Sequence, residues 1–216
     1  MRDAAEREQG HPWFAAVYDL LNAPAERGFL REVREDVIGG AAGRVLEIGC
    51  GTGASFPYYR EVVTELVATE PDPYMLERAR RRAHQLGRHV DIRQAPAEAL
   101  PFDARSFDTV VSTLVLCTVR DPARALAEVK RVLTPEGEFR FYEHVRYPHA
   151  FGAFWQDLVT PVWHRVFAGC HPNRDIVGLI RAAGFGITQL EERTPLPPIP
   201  PVYVLRLQVK GRARPA

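Results

Sequence analysis

Two kinds of apolar pattern alternate along the chain, and their order predicts most of its architecture. Near 12–22, Phe14, Val17, Tyr18 and Leu21 recur at helical spacing. After Pro24, a second stripe of Phe29, Val33 and Val37 predicts a helix that stops at Gly39 and Gly40. From there strand and helix take turns, with 44–48 and 65–69 as the first two strands. Asp72 and Pro73 supply an N-cap and a first-turn proline for a helix reaching Leu86 and closed by Gly87. A third strand is expected over 90–94. The fourth, 109–114, is apolar without alternation, as a central parallel strand covered on both faces should be. Asp121 and Pro122 repeat the cap for a helix through Leu133 that turns Leu126, Val129 and Val132 inward. Pro135-Glu136-Gly137 should then turn the chain into a fifth strand over 138–145.

Beyond that strand the composition shifts. Phe151, Phe154, Trp155, Leu158, Trp163 and Phe167 form an aromatic segment that Pro161 should interrupt. Asn173 is expected to cap a helix ending at Gly184, and 187–191 and 202–209 to form two last strands joined by the proline-rich stretch 195–201. No internal repeat or long low-complexity linker divides the chain. One α/β domain is therefore expected over 1–216: N-terminal helices in 1–40, a core in 41–147, and the aromatic segment of 148–175 inserted before the last helix and two strands.

The densest local signal is at 45–53, Val-Leu-Glu-Ile-Gly-Cys-Gly-Thr-Gly, where an apolar run ends in three glycines at alternate positions. Glycine permits positive φ and a close approach of main chain to a ligand. Glu70 follows Gly53 by 17 residues, at the end of the second apolar run. That is about the separation at which an α/β fold sets an acid against a ribose edge, so a nucleoside-bearing cofactor is expected. The competing reading is an ordinary tight turn and a surface acid paired with Arg78.

Bulk composition narrows the rest. A chain of 216 residues, 46% hydrophobic and 25% charged, suits one soluble core, and a net charge of +1 gives no reason to expect nucleic acid as a partner. The basic run Arg78 to Arg82 follows Glu77 and reads as a solvated helix face. Three cysteines favour free thiols in a reducing compartment over a disulfide framework. No stretch reaches the length of a membrane span and the start is polar, so a cytoplasmic location without stable membrane insertion is expected, peripheral association being left open. His164, Cys170 and His171 lack the paired spacing of a zinc site, and no metal is expected.

Taken in order, Leu46-Glu-Ile-Gly-Cys-Gly-Thr-Gly53, Thr69-Glu-Pro-Asp72, Ala97-Glu-Ala-Leu-Pro-Phe102, Ser106-Phe-Asp-Thr-Val-Val111 and Glu128-Val-Lys-Arg-Val-Leu-Thr-Pro-Glu-Gly137 carry a resemblance. The chain is similar in them to class I S-adenosylmethionine-dependent methyltransferases of the small-molecule type 11 group. A narrower likeness, to the alkyl thiol S-methyltransferases among the animal methyltransferase-like proteins, lies in Thr113-Leu-Val-Leu-Cys-Thr-Val119, Glu143-His-Val145, Phe154-Trp155, Pro161-Val-Trp-His164 and Gly169-Cys170. Those animal proteins carry a hydrophobic N-terminal anchor that is not expected here. The resemblance implies a Rossmann-like fold: a seven-stranded sheet, parallel but for one reversed strand, with helices on both faces.

It also implies roles. Gly49, Cys50, Gly51 and Gly53 would line the cofactor's methionine and ribose, Glu47 would orient that turn, and Glu70 would accept both ribose hydroxyls. Pro71 and Met75 would pack on the adenine, with Ala97 and Glu98 at its polar edge. Pro96 stands where many relatives have Asp, so Glu98 or a backbone amide is expected in place of that acid. Thr113 and Leu114 would close the site at the end of the fourth strand, and Tyr18 would cover the cofactor. Cys117, Phe154, Trp155, Trp163 and His164 would face a small-molecule methyl acceptor under the aromatic segment. His144, next to Glu143, is the first choice for a general base, with a structural hydrogen bond as its alternative role.

The implied reaction is an in-line displacement at a sulfonium methyl, in which positioning supplies about 7–11 kcal/mol. A thiol acceptor is the first guess. Recovering its thiolate at neutral pH is worth only about 2 kcal/mol, so a strong base is optional. An N- or C-methyltransferase acting on a phospholipid head group or quinone is the alternative, and a cofactor-binding module without catalysis is another. Nicotinamide-dependent reduction is disfavoured, because no tyrosine is followed four residues later by lysine. The oligomeric state is not legible.

Overall fold

The computed structural model of the chain describes residues 23, 25–167, 169–197, 199 and 202–216. The helix expected near 12–22, with Tyr18, lies outside them. The elements run α1 Phe29–Val37, β1 Gly43–Ile48, β2 Val63–Thr69, α2 Pro73–Gln85, β3 Asp91–Arg93, β4 Phe107–Thr113, α3 Pro122–Val132, β5 Leu133–His144, α4 Ala150–Val166, α5 Ile176–Ala182, β6 Phe185–Arg193 and β7 Gln208–Pro215. Seven strands form one sheet in the order β3-β2-β1-β4-β5-β7-β6. Neighbours from β3 to β5 are parallel, and β7 runs antiparallel to both β5 and β6.

Strand alternation divides the core between two faces. Leu46, Ile48, Val110, Phe139 and Phe141 point into one cluster, closed by Leu126 and Val129 of α3 and Ile176 and Ile180 of α5. Val45, Ala68, Val111 and Tyr142 point into the other, closed by Leu30 and Val33 of α1 and Ala79 and Ala83 of α2. After β3 the chain crosses to the far side of β1 to build β4. The strand order reverses there, so the carboxyl ends of β1 and β4 border the crevice in which ligands of such sheets are received.

The expected caps of α2 and α3 are present: Asp72 accepts from the amides of Tyr74 and Met75, and Asp121 from that of Arg124. Four local expectations are corrected. α3 passes directly into β5, with Leu133 paired to Phe107 and Glu138 to Thr109, so 134–137 bulge from a continuous strand instead of preceding it. Pro161 does not interrupt α4. The Thr160 hydroxyl donates to the Gln156 carbonyl at 2.6 Å in the same turn, and the helix continues to Val166. Asp175, not Asn173, caps α5 by accepting from Gly178; the Asn173 amide donates to Asp157. Val202–Leu205 is a 3-10 turn and the last strand starts at Gln208. In that 3-10 turn the Tyr203 ring stacks on Tyr147 at 5.2 Å, and the Val204 carbonyl accepts from Gln156.

Arg140 anchors α1 to the sheet. Its guanidinium is fully buried, donates to the carbonyls of Val37 (2.6 Å) and Asp36 (2.9 Å), and pairs with Glu138. It thereby caps the carboxyl end of α1. Gly40 leaves it room, since a Cβ there would lie 2.1 Å from the guanidinium. Arg140→Met should strand two carbonyls and the Glu138 charge, lowering stability by about 2–4 kcal/mol in urea unfolding at unchanged slope.

Candidate functional site

The turn after β1 is built as the sequence predicted, but its three glycines differ in purpose. Gly49, Gly51 and Gly53 have φ of +57°, +56° and +76°. A Cβ on Gly49 would strike Val115 at 2.7 Å, and one on Gly53 would strike the Phe56 ring at 2.6 Å, so both are required by packing. At Gly51 the same position meets nothing within 4 Å. That glycine opens the main chain toward a ligand.

Glu70, just past β2, holds this turn. One carboxylate oxygen accepts from the Gly51 amide at 2.9 Å and the other from the Asp72 amide at 3.0 Å. Each oxygen retains acceptor capacity, as a pair of vicinal hydroxyls requires. Burial pushes the Glu70 carboxyl up to about 7, against the pull of the Asp72 and Gly51 amides. Glu47 lies beneath the turn, buried, and accepts from the Tyr59 hydroxyl at 3.0 Å. Burial raises it to about 7 as well, with Ser55, Arg34 and Tyr59 opposing. Cys50 is buried and its amide donates to Thr69. Among the described residues, the buried hydroxyls of Thr69 and Thr113 meet no hydrogen-bond partner. They end β2 and β4, the strands on either side of β1, and fit a polar ligand laid across the turn. Leu114 follows at φ +59°, a strained conformation for a branched side chain.

Around the expected adenine position the outcome is mixed. Met75 is buried in the first turn of α2, whereas Pro71 is exposed. Ala97 belongs to the core. The Glu98 carboxylate accepts from the amides of Arg120 (2.9 Å) and Asp121 (3.3 Å), so it braces the start of α3 instead of standing free at a ring edge.

At the end of β5, Glu143 is fully buried and accepts four hydrogen bonds: from the Ser112 hydroxyl (2.6 Å) and the amides of Val115 (3.0 Å), Leu116 (3.0 Å) and Cys117 (3.1 Å). It is a clamp on the turn after β4, not the partner of a catalytic histidine. His144 points elsewhere. Its Nδ1 lies 3.6 Å from Cys117 Sγ and 3.7 Å from Cys170 Sγ, and the two sulfurs are 3.9 Å apart. The contact with Cys117 and then the neighbouring imidazole hold the Cys170 thiol below the usual cysteine range, while Cys117 is pushed up by the same contact and by burial.

Sequence reasoning named Cys117 and His144 separately and grouped Cys170 with His164 and His171. The structure instead unites Cys117, His144 and Cys170, all buried. They lie 26 and 27 residues apart and form no short motif; only their placement at the ends of adjacent strands and past α4 joins them. The His164 and His171 rings face each other edge-on at 5.1 Å beside this group. Trp163 is buried and stacks on Phe167 at 3.9 Å, packing with Cys117 and Cys170. Phe154 and Trp155 are exposed instead of turned into the core. They share the outward side of α4 with Phe151, Leu158 and Val162, and Phe151 is 67% exposed. No described helix is long and apolar enough to cross a membrane.

The chain and its fold have known counterparts. The family described as "Methyltransferase domain" matches residues 46–141. The human thiol S-methyltransferase TMT1B is 37% identical over 193 residues, covering 85% of this chain and 78% of the relative. The human thiol S-methyltransferase TMT1A is 34% identical over 185 residues, covering 82% and 74%. Among solved structures, the [4+2]-cyclase SpnF superposes with a TM-score of 0.71 at 19% identity over 94% of each chain, a likeness of fold alone.

The two buried acids predict a pH dependence. Native Glu47 and Glu70 bind protons more tightly than in the unfolded chain, where 4.5 is the ordinary value. The contribution of these two groups to stability is therefore greatest below about 4.5, falls as pH rises to about 7, and then levels off, with a ceiling of roughly 3 kcal/mol for each group. Glu70→Gln should flatten part of that slope in urea unfolding measured from pH 5 to 8.

Proposed function

The chain belongs to the class I S-adenosylmethionine-dependent methyltransferases, and from that membership we propose that it methylates the sulfur of a small apolar or amphipathic thiol. The observation that carries the acceptor class is the similarity to two thiol S-methyltransferases over more than four fifths of the chain. The chemistry past β4 and β5 is consistent with it, since soft sulfur and imidazole donors gather there.

The cofactor supplies a sulfonium-activated methyl group when bound, and the residues present suit it. Gly51 leaves the main chain open, Glu70 offers two fixed acceptors for the ribose hydroxyls, and Met75 gives the adenine an apolar wall. Thr69 and Thr113 bring unpartnered hydroxyls to either side. Glu47 acts on the turn from beneath, and Glu143 sets the acceptor side by fixing Val115 to Cys117. Holding an acceptor sulfur in line is worth about 7–11 kcal/mol, against about 2 for forming its thiolate. Positioning is thus the larger part of the catalysis. The buried Trp163, packed with Cys117 and Cys170, favours an acceptor with an apolar body. Free buried thiols suit a reducing compartment such as the cytoplasm.

Two measurements test this. Incubation with S-adenosylmethionine and a panel of thiols, amines and phenols should give methyl thioethers by mass spectrometry; methylated amines or phenols with no thioether would remove the thiol assignment. Glu70→Gln should weaken calorimetric S-adenosylmethionine binding roughly ten- to hundred-fold, the loss of a charge-assisted contact. In the wild type, affinity should fall roughly tenfold per pH unit below 7, because the hydroxyls donate to the ionised form.

A further inference from the structure

We propose that Cys117, His144 and Cys170 form a binding site for one zinc-type ion whose fourth ligand is the acceptor's own sulfur. The geometry fits before any ion is placed. A tetrahedral centre with metal–sulfur bonds of about 2.3 Å and a metal–nitrogen bond of about 2.05 Å requires its sulfurs to stand about 3.8 Å apart and each sulfur about 3.6 Å from the nitrogen. The observed separations are 3.9 Å between the sulfurs, and 3.6 and 3.7 Å to His144 Nδ1. Hydrogen-bonded thiols alone need no such equilateral arrangement.

The ligands are held as metal ligands must be. The Cys117 amide donates to Glu143 and its carbonyl accepts from the His171 amide at 2.7 Å, so the residue is fixed on both sides. The Cys170 amide donates to Phe167, and its side chain packs with that of Trp163. Two thiolates and a neutral imidazole cancel a divalent charge, which suits a buried site. Arg174, which donates to the Leu116 carbonyl at 2.7 Å and is electrostatically coupled to both cysteines, balances a further anionic ligand. Two Cys and one His leave a tetrahedral ion one exchangeable position, the catalytic pattern and not the closed structural one.

The proposal rests on the thiol reading above and supplies the thiolate that reading needs. Coordination deprotonates the acceptor thiol, and the proton leaves to solvent. A lone pair on the coordinated sulfur forms the new S–CH3 bond as the methyl–sulfonium bond breaks, that electron pair passing to the departing sulfur. The products are a neutral thioether, S-adenosylhomocysteine and the released proton. A thioether is a poorer ligand than a thiolate and exchanges for the next acceptor.

The test is spectroscopic first. The full chain, stripped with chelator and titrated with cobalt(II), should bind one equivalent with thiolate-to-metal charge-transfer absorption and the visible bands of a tetrahedral ion. A monothiol should then shift those bands, and zinc should abolish them. Cys170→Ser and His144→Ala should lose or weaken the charge-transfer absorption while still binding S-adenosylmethionine, which certifies their fold; if they fail to fold, the wild-type spectrum decides alone. Metal-free protein should methylate thiols about tenfold or more slowly than the zinc-loaded form. No charge-transfer absorption at one equivalent, or a spectrum indifferent to the monothiol, overturns the proposal. If metal-free protein methylates thiols as fast as the loaded form, the ion's role falls and the thiol reading stands. A thiol-sensitive cobalt site with no methylation of any thiol would sustain the site and remove the thiol reading instead.

Discussion

Glu143 is the joint on which this site depends. A buried carboxylate is costly to desolvate, and here four donors offset that cost: one hydroxyl from β4 and three consecutive amides from the turn after it. Those amides would otherwise be stranded in the interior. The contact therefore sets the shape of 115–117 and does two things at once. It delivers Cys117 to His144, and it lays the Val115 methyls against Gly49 in the turn after β1. The crevice's two halves are thus assembled by one side chain that need never meet a ligand.

Three acids, Glu47, Glu70 and Glu143, crowd the carboxyl ends of β1, β2 and β5, and burial raises all three. A sequence selected for stability alone would not bury them. Each is tied to backbone or hydroxyl donors that define a loop, so local rules yield to function where the loops must be rigid.

Much of this was legible because the signals are local. The apolar run into the glycine turn, Glu70 at its distance, and the Asp-Pro caps of α2 and α3 each declare themselves within a few residues. What escaped depends on tertiary partners. Asp175 outcompetes Asn173 as a cap because Asn173 is drawn to Asp157. The run 202–205 has a strand's composition but stacks Tyr203 on Tyr147 and offers the Val204 carbonyl to Gln156. Pro161 is carried by a helix that tertiary packing sustains on either side of it. The outward turn of Phe154 and Trp155 could not be read, since aromatic content says which residues are apolar and not which side they face. The trio of Cys117, His144 and Cys170 is a product of topology alone.

The reversed strand has a consequence for how the molecule comes into being. β7 lies between β5 and β6 yet follows both in the chain, so spatial order and order of synthesis are inverted at this margin. On the ribosome β6 must wait, with both of its margins unpaired, until β7 is inserted beside it. Its outer half carries Glu191, Glu192 and Arg193. Charges so placed discourage a stray strand from another nascent chain from adding on during that interval. The polarity of β6, unremarkable in the finished sheet, reads as a safeguard for the unfinished one.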